Sequence, residues 1–191
     1  MIFASNNQNK LSEIRQIFNE YQIQSLNEAK VNIDVEEDQD SFYGNALKKA
    51  KEIYEITKQP VIADDSGICI DYFAGWPGVH TARFLGTDKT TKERNDYIID
   101  KMRTVPIDLR GASVICVLVY YDGESIITGE GILTGKISLI NNNTNKFGFD
   151  DIFELENGII VSNLSAIEKN GLSARWKAAC NLKEKLSSKI K

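Results

Sequence analysis

The segment that most restricts the fold runs from Ala112 to Thr134, where two long runs rich in apolar residues flank Asp122-Gly123. Asp-Gly supplies the positive-φ positions a tight turn needs, so 112–121 and 125–134 read as a β-hairpin. Strands of this length suit the spine of a two-lobed domain. Upstream, Met1–Ala4 reads as a short buried strand, a polar turn Ser5-Asn6-Asn7-Gln8-Asn9 follows, and a helix starts near Lys10, with Leu11, Ile14, Ile17, Phe18 and Tyr21 at helical spacing. Asp40 or Ser41 caps a second helix to about Thr57, and Pro60 breaks it. Val61-Ile62-Ala63 reads as a strand leading into Asp64-Asp65-Ser66-Gly67, with Ile68-Cys69-Ile70 resuming apolar character and Gly75-Trp76-Pro77-Gly78 turning the chain. A third helix is expected over 91–103, an exposed mobile loop at Asn141–Asn145 and a strand at Gly158–Val161. Ser173 opens a last helix on which Ala174, Ala178, Leu182, Leu186 and Ile190 form one apolar stripe. Without strict βαβ alternation, the pattern predicts a mixed α/β or α+β sheet, not a doubly wound parallel one, and residues 1–191 read as a single domain.

Composition narrows the chemistry. With 42% hydrophobic and 26% charged residues, the 191-residue chain has the balance of a globular protein, not of a disordered or fibrous one. The single His excludes a His-rich zinc site and leaves only His80 for a Ser-His or Cys-His pair. Hydrolytic chemistry is therefore expected to rest on carboxylates, a hard metal ion, Lys and Arg. The net charge of −4 has the wrong sign for a surface that grips nucleic acid, although local basic sites stay open. Cys69, Cys116 and Cys180 are odd in number, lack CxxC spacing and sit among apolar residues, so they read as reduced structural thiols. No apolar run approaches ~18 residues and the N-terminus has no signal-peptide core, so a cytoplasmic protein without membrane contact is expected.

Several positions can carry chemistry. Adjacent carboxylates at Asp64 and Asp65, at the end of an apolar strand, need a cation or hydrogen bonds unless they form a solvated turn. Strand alternation sends them to opposite faces, so one of the two is expected to point into a given site. On a helical wheel from Phe42, Lys49 falls at about 340° and Asn45 at about 300°, at the edge of the buried stripe. A Lys placed there either snorkels or meets an anion. Glu36, Glu37, Asp38 and Asp40 read as an exposed acidic loop, but Mg²⁺ bound by one or two carboxylates and by substrate phosphates needs few of them. Lys169 and Arg175 flank a helix start at Ser173, where cations are unfavourable without a compensating ligand. Phe147 and Phe149 are either core residues or a face for a planar base.

The motifs Ser5-x-Asn7-x-x-Lys10, Phe42-x-x-Asn45-Ala46-x-x-Lys49-Ala50, Ala63-Asp64-Asp65-Ser66-Gly67, Gly75-x-Pro77-Gly78-x-x-x-Ala82-Arg83, Phe147-Gly148-Phe149-Asp150-x-Ile152-Phe153 and Lys169-x-x-x-Ser173-x-Arg175 occur in order over nearly the whole chain. Together they resemble the inosine triphosphate pyrophosphatase family. The resemblance implies an elongated two-lobed Maf/Ham1-like α/β fold with a cleft, usually homodimeric. It also implies Mg²⁺-dependent hydrolysis of ITP, dITP and XTP to the monophosphate and pyrophosphate. By motif match, Ser5, Asn7, Lys10 and Lys49 hold phosphates, Asp65 is the catalytic carboxylate and a metal ligand, Glu37 is a second ligand, and Ser66 contacts substrate. Asp64 is expected to brace the turn. Phe147 matches the stacking aromatic of the Phe147-Gly148-Phe149-Asp150 segment, and Asp150, Lys169 and Arg175 match nucleoside contacts. Arg175, a pure donor, suits the 6-keto oxygen of hypoxanthine or xanthine. The sequence departs from the family at Ala174, where His is usual, and at Gly44, where Glu is common. His80 stands where the family usually has Tyr and reads as a cleft-wall or interface residue. The alternatives are a Maf-like pyrophosphatase for another nucleotide and a nucleotide-binding regulator without turnover.

Overall fold

A computed structural model describes residues 1–144, 146 and 148–189. Strands β1 (Ile2–Phe3), β2 (Val61–Ile70), β3 (Trp76–Pro77), β4 (Gly111–Tyr121), β5 (Ile126–Ile137) and β6 (Phe153–Glu154) belong to one mixed sheet, hydrogen-bonded in the order β1-β2-β4-β5-β6, with β3 on β2. The helices are α1 (Gln8–Ile17), α2 (Phe42–Thr57), α3 (Thr91–Lys101), the short α4 (Ala166–Asn170) and α5 (Ala174–Lys189). The expected hairpin is present, and Gly123 takes the positive φ of +100° that its turn requires.

The chain divides into two compact units, and β2, β4 and β5 contribute residues to both. The first comprises Met1–Ser66, Cys116–Ile132 and Ser173–Lys191. Here β1 pairs in parallel with the start of β2, Ile2 facing Val61 and Phe3 facing Ile62. Leu11, Ile14 and Phe18 of the first helical segment are buried, as are Ala46, Ala50 and Ile53 of α2. Ala174, Ala178, Leu182 and Leu186 of α5 are buried too, as their stripe predicts; Ile190 lies outside the described residues.

The second unit comprises Gly67–Ile115 and Leu133–Leu172. Its core gathers Ile68, Ile70, Ile98, Met102, Ile137, Ile152 and Phe153. The end of β2 pairs antiparallel with β3, and the end of β5 with β6 through Lys136–Glu154 and Ile137–Phe153. Thr90 and Glu93 close a reciprocal capping box on α3. Arg110, 1% exposed, donates to the carbonyls of Ile137 (2.8 Å), Met102 (2.5 Å) and Ser138 (2.6 Å). One planar guanidinium thereby satisfies three backbone acceptors at the foot of β4.

Four expectations are corrected. The helix α1 starts before Lys10 because the Asn7 side chain caps it. The segment Asp64–Gly67 is no turn but the middle of the continuous strand β2, since the groups around both carboxylates make burial tolerable. The expected strand over 158–161 is reduced to a bridge between Ile160 and Glu154, the strand there being β6, and Gly158 at φ +83° turns the chain between them. The loop expected to be exposed is so only at Asn143 and Thr144, Asn141 and Asn142 being half-buried: Asn141 Nδ2 donates to Asp96 at 2.7 Å, and Asn142 Nδ2 to Ser162 and Asn163 at 3.0 Å; Asn145 lies outside the described residues.

Arg110→Met removes a donor from three buried carbonyls, of which Met102 keeps the Val105 amide at 3.0 Å, so it is expected to lower the unfolding free energy by on the order of 2–4 kcal/mol. Urea denaturation measures this; a loss under about 1 kcal/mol contradicts the clamp.

Candidate active site

The centre of the first unit is the pair Asp64-Asp65. Both are buried, at 1% and 6% exposure, and they meet different partners, as strand alternation requires. Lys10 Nζ reaches both oxygens of Asp64, at 3.2 and 2.9 Å. Arg175 Nη2 reaches Asp64 Oδ2 at 3.2 Å and Ser66 Oγ at 3.1 Å. Lys49 Nζ donates to the Asp64 carbonyl at 2.5 Å and to Glu37 Oε1 at 2.7 Å. The Lys49 side chain therefore meets an anion instead of snorkelling, which resolves the choice posed by its place on the helical wheel.

Each cation is delivered by a defined piece of local structure. Lys10 lies in the first turn of α1, whose cap is built by Ser5 and Asn7: Ser5 Oγ accepts from the Asn7 amide at 3.1 Å, and Asn7 Oδ1 accepts from the Asn9 and Lys10 amides at 3.0 and 3.3 Å. Lys49 is carried by α2, which starts where Ser41 Oγ accepts from the Gly44 amide. Arg175 enters from the first turn of α5, and that helix lies very close to β5. A Cβ at Gly131 would collide with the Ala174 carbonyl and one at Gly129 with the Ala178 carbonyl, so only glycine permits this approach. Ser173 Oγ accepts from the Trp176 amide at 3.0 Å and donates to Glu13 Oε2 at 2.9 Å, while Glu13 Oε1 lies 3.6 Å from Arg175. A cation at this helix start is thus compensated by Asp64 and Glu13. Sequence reading missed Glu13, although a Glu one turn from Lys10 amid the buried positions of α1 was the available signal.

The two carboxylates have opposite electrostatics. Burial opposes ionisation of Asp64, but Lys10, Arg175 and Lys49 outweigh it and hold the carboxyl well below the usual range. Burial also dominates at Asp65, where Lys49 and the Asn45 hydrogen bond compensate only in part and the charges of Glu37 and Asp64 add to the strain. The Asp65 carboxyl is pushed up to about 6. Lys49 is disfavoured by burial, yet Asp64, Glu37 and Asp65 together raise its pKa. A buried carboxylate with deficient compensation beside a second acid is suited to a divalent cation. Two carboxylates, Asp65 and Glu37, match the open mode in which one or two carboxylates share the ion with phosphate oxygens. Cys116 is buried with its thiol pushed up to about 12 by desolvation, in keeping with a structural role.

Of the remaining predicted residues, Gly148, Phe149, Asp150 and Lys169 lie in the second unit. Gly148 has φ +65°, and its carbonyl accepts from Asn95 Nδ2 at 3.1 Å. Phe149 packs against the unit's core. Asp150 Oδ2 pairs with Lys169 Nζ at 2.5 Å. Lys169 belongs to the last turn of α4, where a cation complements the helix dipole, and not to a helix start. Phe147 lies outside the described residues. Among the described residues, no helix is long and apolar enough to cross a membrane.

A buried acid pair with Lys and Arg gathered on it, on a mixed α/β scaffold, has the charges of a site that handles anions, and comparison with known proteins gives the family. Residues 1–185 match the model of the Ham1 family. The chain is 37% identical to a dITP/XTP pyrophosphatase of Clostridium perfringens, covering 100% of this chain and 98% of that relative. It is 34% identical to a dITP/XTP pyrophosphatase of Clostridium tetani, over 100% and 97%. The Ham1 protein structure of Staphylococcus aureus superposes with a TM-score of 0.89 at 28% identity, over 98% of each chain. This chain belongs to the Ham1 family.

Linkage gives Asp65 a pH signature. A carboxyl that titrates near 6 when folded, against an ordinary 3.8, binds its proton more tightly in the folded state. Its ionisation therefore destabilises the fold above that pH, by up to about 3 kcal/mol, and the loss is recovered as pH falls from 7 to 4. Unfolding free energies of the metal-free protein and its Asp65→Ala variant, measured across this range, are expected to diverge, the wild type gaining on the variant toward acid. Parallel curves contradict the buried charge.

Proposed function

We propose that the protein is a nucleoside triphosphate pyrophosphatase that hydrolyses deaminated purine nucleotides, dITP, ITP and XTP, to the monophosphate and pyrophosphate and so clears them from the nucleotide pool. The observation that carries this reading is the buried Asp64-Asp65 pair with Lys10, Lys49 and Arg175 gathered on it, in a chain whose full-length relatives are named dITP/XTP pyrophosphatases.

In this reading Asp65 takes the proton of the attacking water, its two carboxylate oxygens held by Asn45 and the Ser66 amide. Lys10 and Lys49, with Ser5 and Asn7 at the start of α1, bind the phosphates and place the anhydride for in-line attack. Substrate phosphate competes with Asp64 for these cations. Asp65 and Glu37 hold Mg²⁺, which when bound neutralises charge on phosphate oxygens. Ser66, fixed by Arg175, contacts substrate beside Asp65. The base is recognised by Phe147, Gly148, Phe149, Asp150, Lys169 and Arg175, whose donors favour a 6-keto over a 6-amino purine. The family resemblance further supports one catalytic domain over residues 1–191, acting as a cytoplasmic homodimer on a small-molecule substrate, without nucleic acid.

Two measurements test the reading. A panel of dITP, ITP, XTP, GTP and ATP with Mg²⁺ is expected to release pyrophosphate, not orthophosphate. Because Ala174 stands where the family usually has His, purine discrimination is expected to be weaker than in enzymes that retain it; equal sharpness rejects that part. Asp65→Ala is expected to lower kcat by about 10²–10⁴-fold in a folded protein, and an unchanged kcat rejects Asp65 as the base.

A further inference from the structure

The α2 helix presents two side chains one turn apart, Asn45 and Lys49, and each bridges the same two segments. Lys49 joins Glu37 to the Asp64 carbonyl. Asn45 makes a second, uncharged rung: its Oδ1 accepts from the backbone amide of Gln39 at 2.9 Å, and its Nδ2 donates to Asp65 Oδ2 at 2.9 Å. Its partners fix the amide orientation, because a backbone N–H can only donate and a carboxylate oxygen accepts. Asn45 is wholly buried. The other Asp65 oxygen accepts from the Ser66 amide at 2.8 Å, so both oxygens of this carboxylate are oriented from fixed points.

We propose that Asn45 is a positioning residue that sets the Glu37-bearing loop and the Asp65 carboxylate in one geometry, so that the two acids present themselves together to a divalent cation. The inference rests on the reading of Glu37 and Asp65 as the metal-binding pair. The chemistry restricts the residue type. A side chain here must accept from one segment and donate to the other at the same reach; Ala and Leu do neither, and Ser reaches one partner at a time. Asp keeps the acceptor but sets a second charge against Asp65. Lys49 alone does not suffice, since its bond to Glu37 engages a flexible side chain and its other bond goes to a backbone carbonyl, so neither orients the Asp65 carboxylate. Gln39 is an exposed loop residue, and its bond to Asn45 ties the loop's backbone to a buried side chain, whereas Lys49–Glu37 and Lys48–Asp38 hold it through side chains.

The test compares wild type, Asn45→Ala, Asn45→Ser, Glu37→Gln and Asp65→Ala in Mn²⁺ titrations of the nucleotide-free protein, followed by electron paramagnetic resonance of free Mn²⁺. Circular dichroism and thermal melts check folding. The expected result is Mn²⁺ binding weakened about tenfold or more by either Asn45 substitution, with a matching rise in the Mg²⁺ concentration for half-maximal rate and a smaller fall in kcat at saturating Mg²⁺. A folded Asn45 variant with wild-type Mn²⁺ affinity overturns the inference, provided Glu37→Gln and Asp65→Ala do weaken it. Binding indifferent to Glu37 and Asp65 overturns instead the underlying reading of the metal pair. Amide hydrogen exchange on the unmodified protein gives an independent check if the variants do not fold. The Gln39 amide is expected to exchange at least tenfold more slowly than those of Asp38 and Asp40, and equal rates overturn the inference.

Discussion

The site depends on the ionised Asp64 carboxylate inside β2. Burying a charge at this depth is tolerable only when its counter-charges arrive in close geometry, and here they arrive from three parts of the chain: Lys10 from α1, Lys49 from α2 and Arg175 from α5. The dependence is mutual. Arg175 is almost fully buried and remains charged because Asp64 and Glu13 lie beside it, and Lys49 because Asp64, Glu37 and Asp65 do. Each helix is positioned by apolar packing, but its register about its own axis is constrained by where its cation must point.

Asp65, next in sequence, is placed in the opposite situation. The cations that stabilise Asp64 are largely engaged there, so Asp65 faces burial with two neutral amide donors, from Asn45 and the Ser66 backbone, and part of the field of Lys49. Two adjacent identical residues thus acquire different proton affinities because a strand turns them to different neighbours. The firmly ionised member anchors the site; the poised member is the one able to exchange a proton or accept a cation. The stability lost at Asp65 is offset by the tightly paired neighbour.

The close approach of α5 to β5 shows how backbone chemistry enters the site. Gly129 and Gly131 let helix carbonyls sit where a side chain would stand, which brings the first turn of α5, with Ser173 and Arg175, to Glu13 and Asp64. In the second unit Arg110 does comparable work for the fold, satisfying three carbonyls where β4 begins.

Much of this was legible in the sequence because it depends on local periodicity or on turn chemistry. The hairpin about Asp122-Gly123, the apolar stripes of α2 and α5, the Ser41 cap and the anomalous position of Lys49 on its wheel are all set by residues within a few positions of one another. The family motifs marked Asp65, Lys10 and Arg175 as site residues, but not what each touches. What only the tertiary structure decided is long-range: that Asp64-Asp65 is strand and not turn, that Glu13 and Ser173 meet, that Asn45 spans Gln39 and Asp65, and that 158–161 yields its pairing to β6. The physical reason is the same in each case. A lone carboxylate or amide in a sequence favours a solvated turn, and its burial becomes favourable only once partners from more than a hundred residues away, such as Arg175 for Asp64, are folded against it.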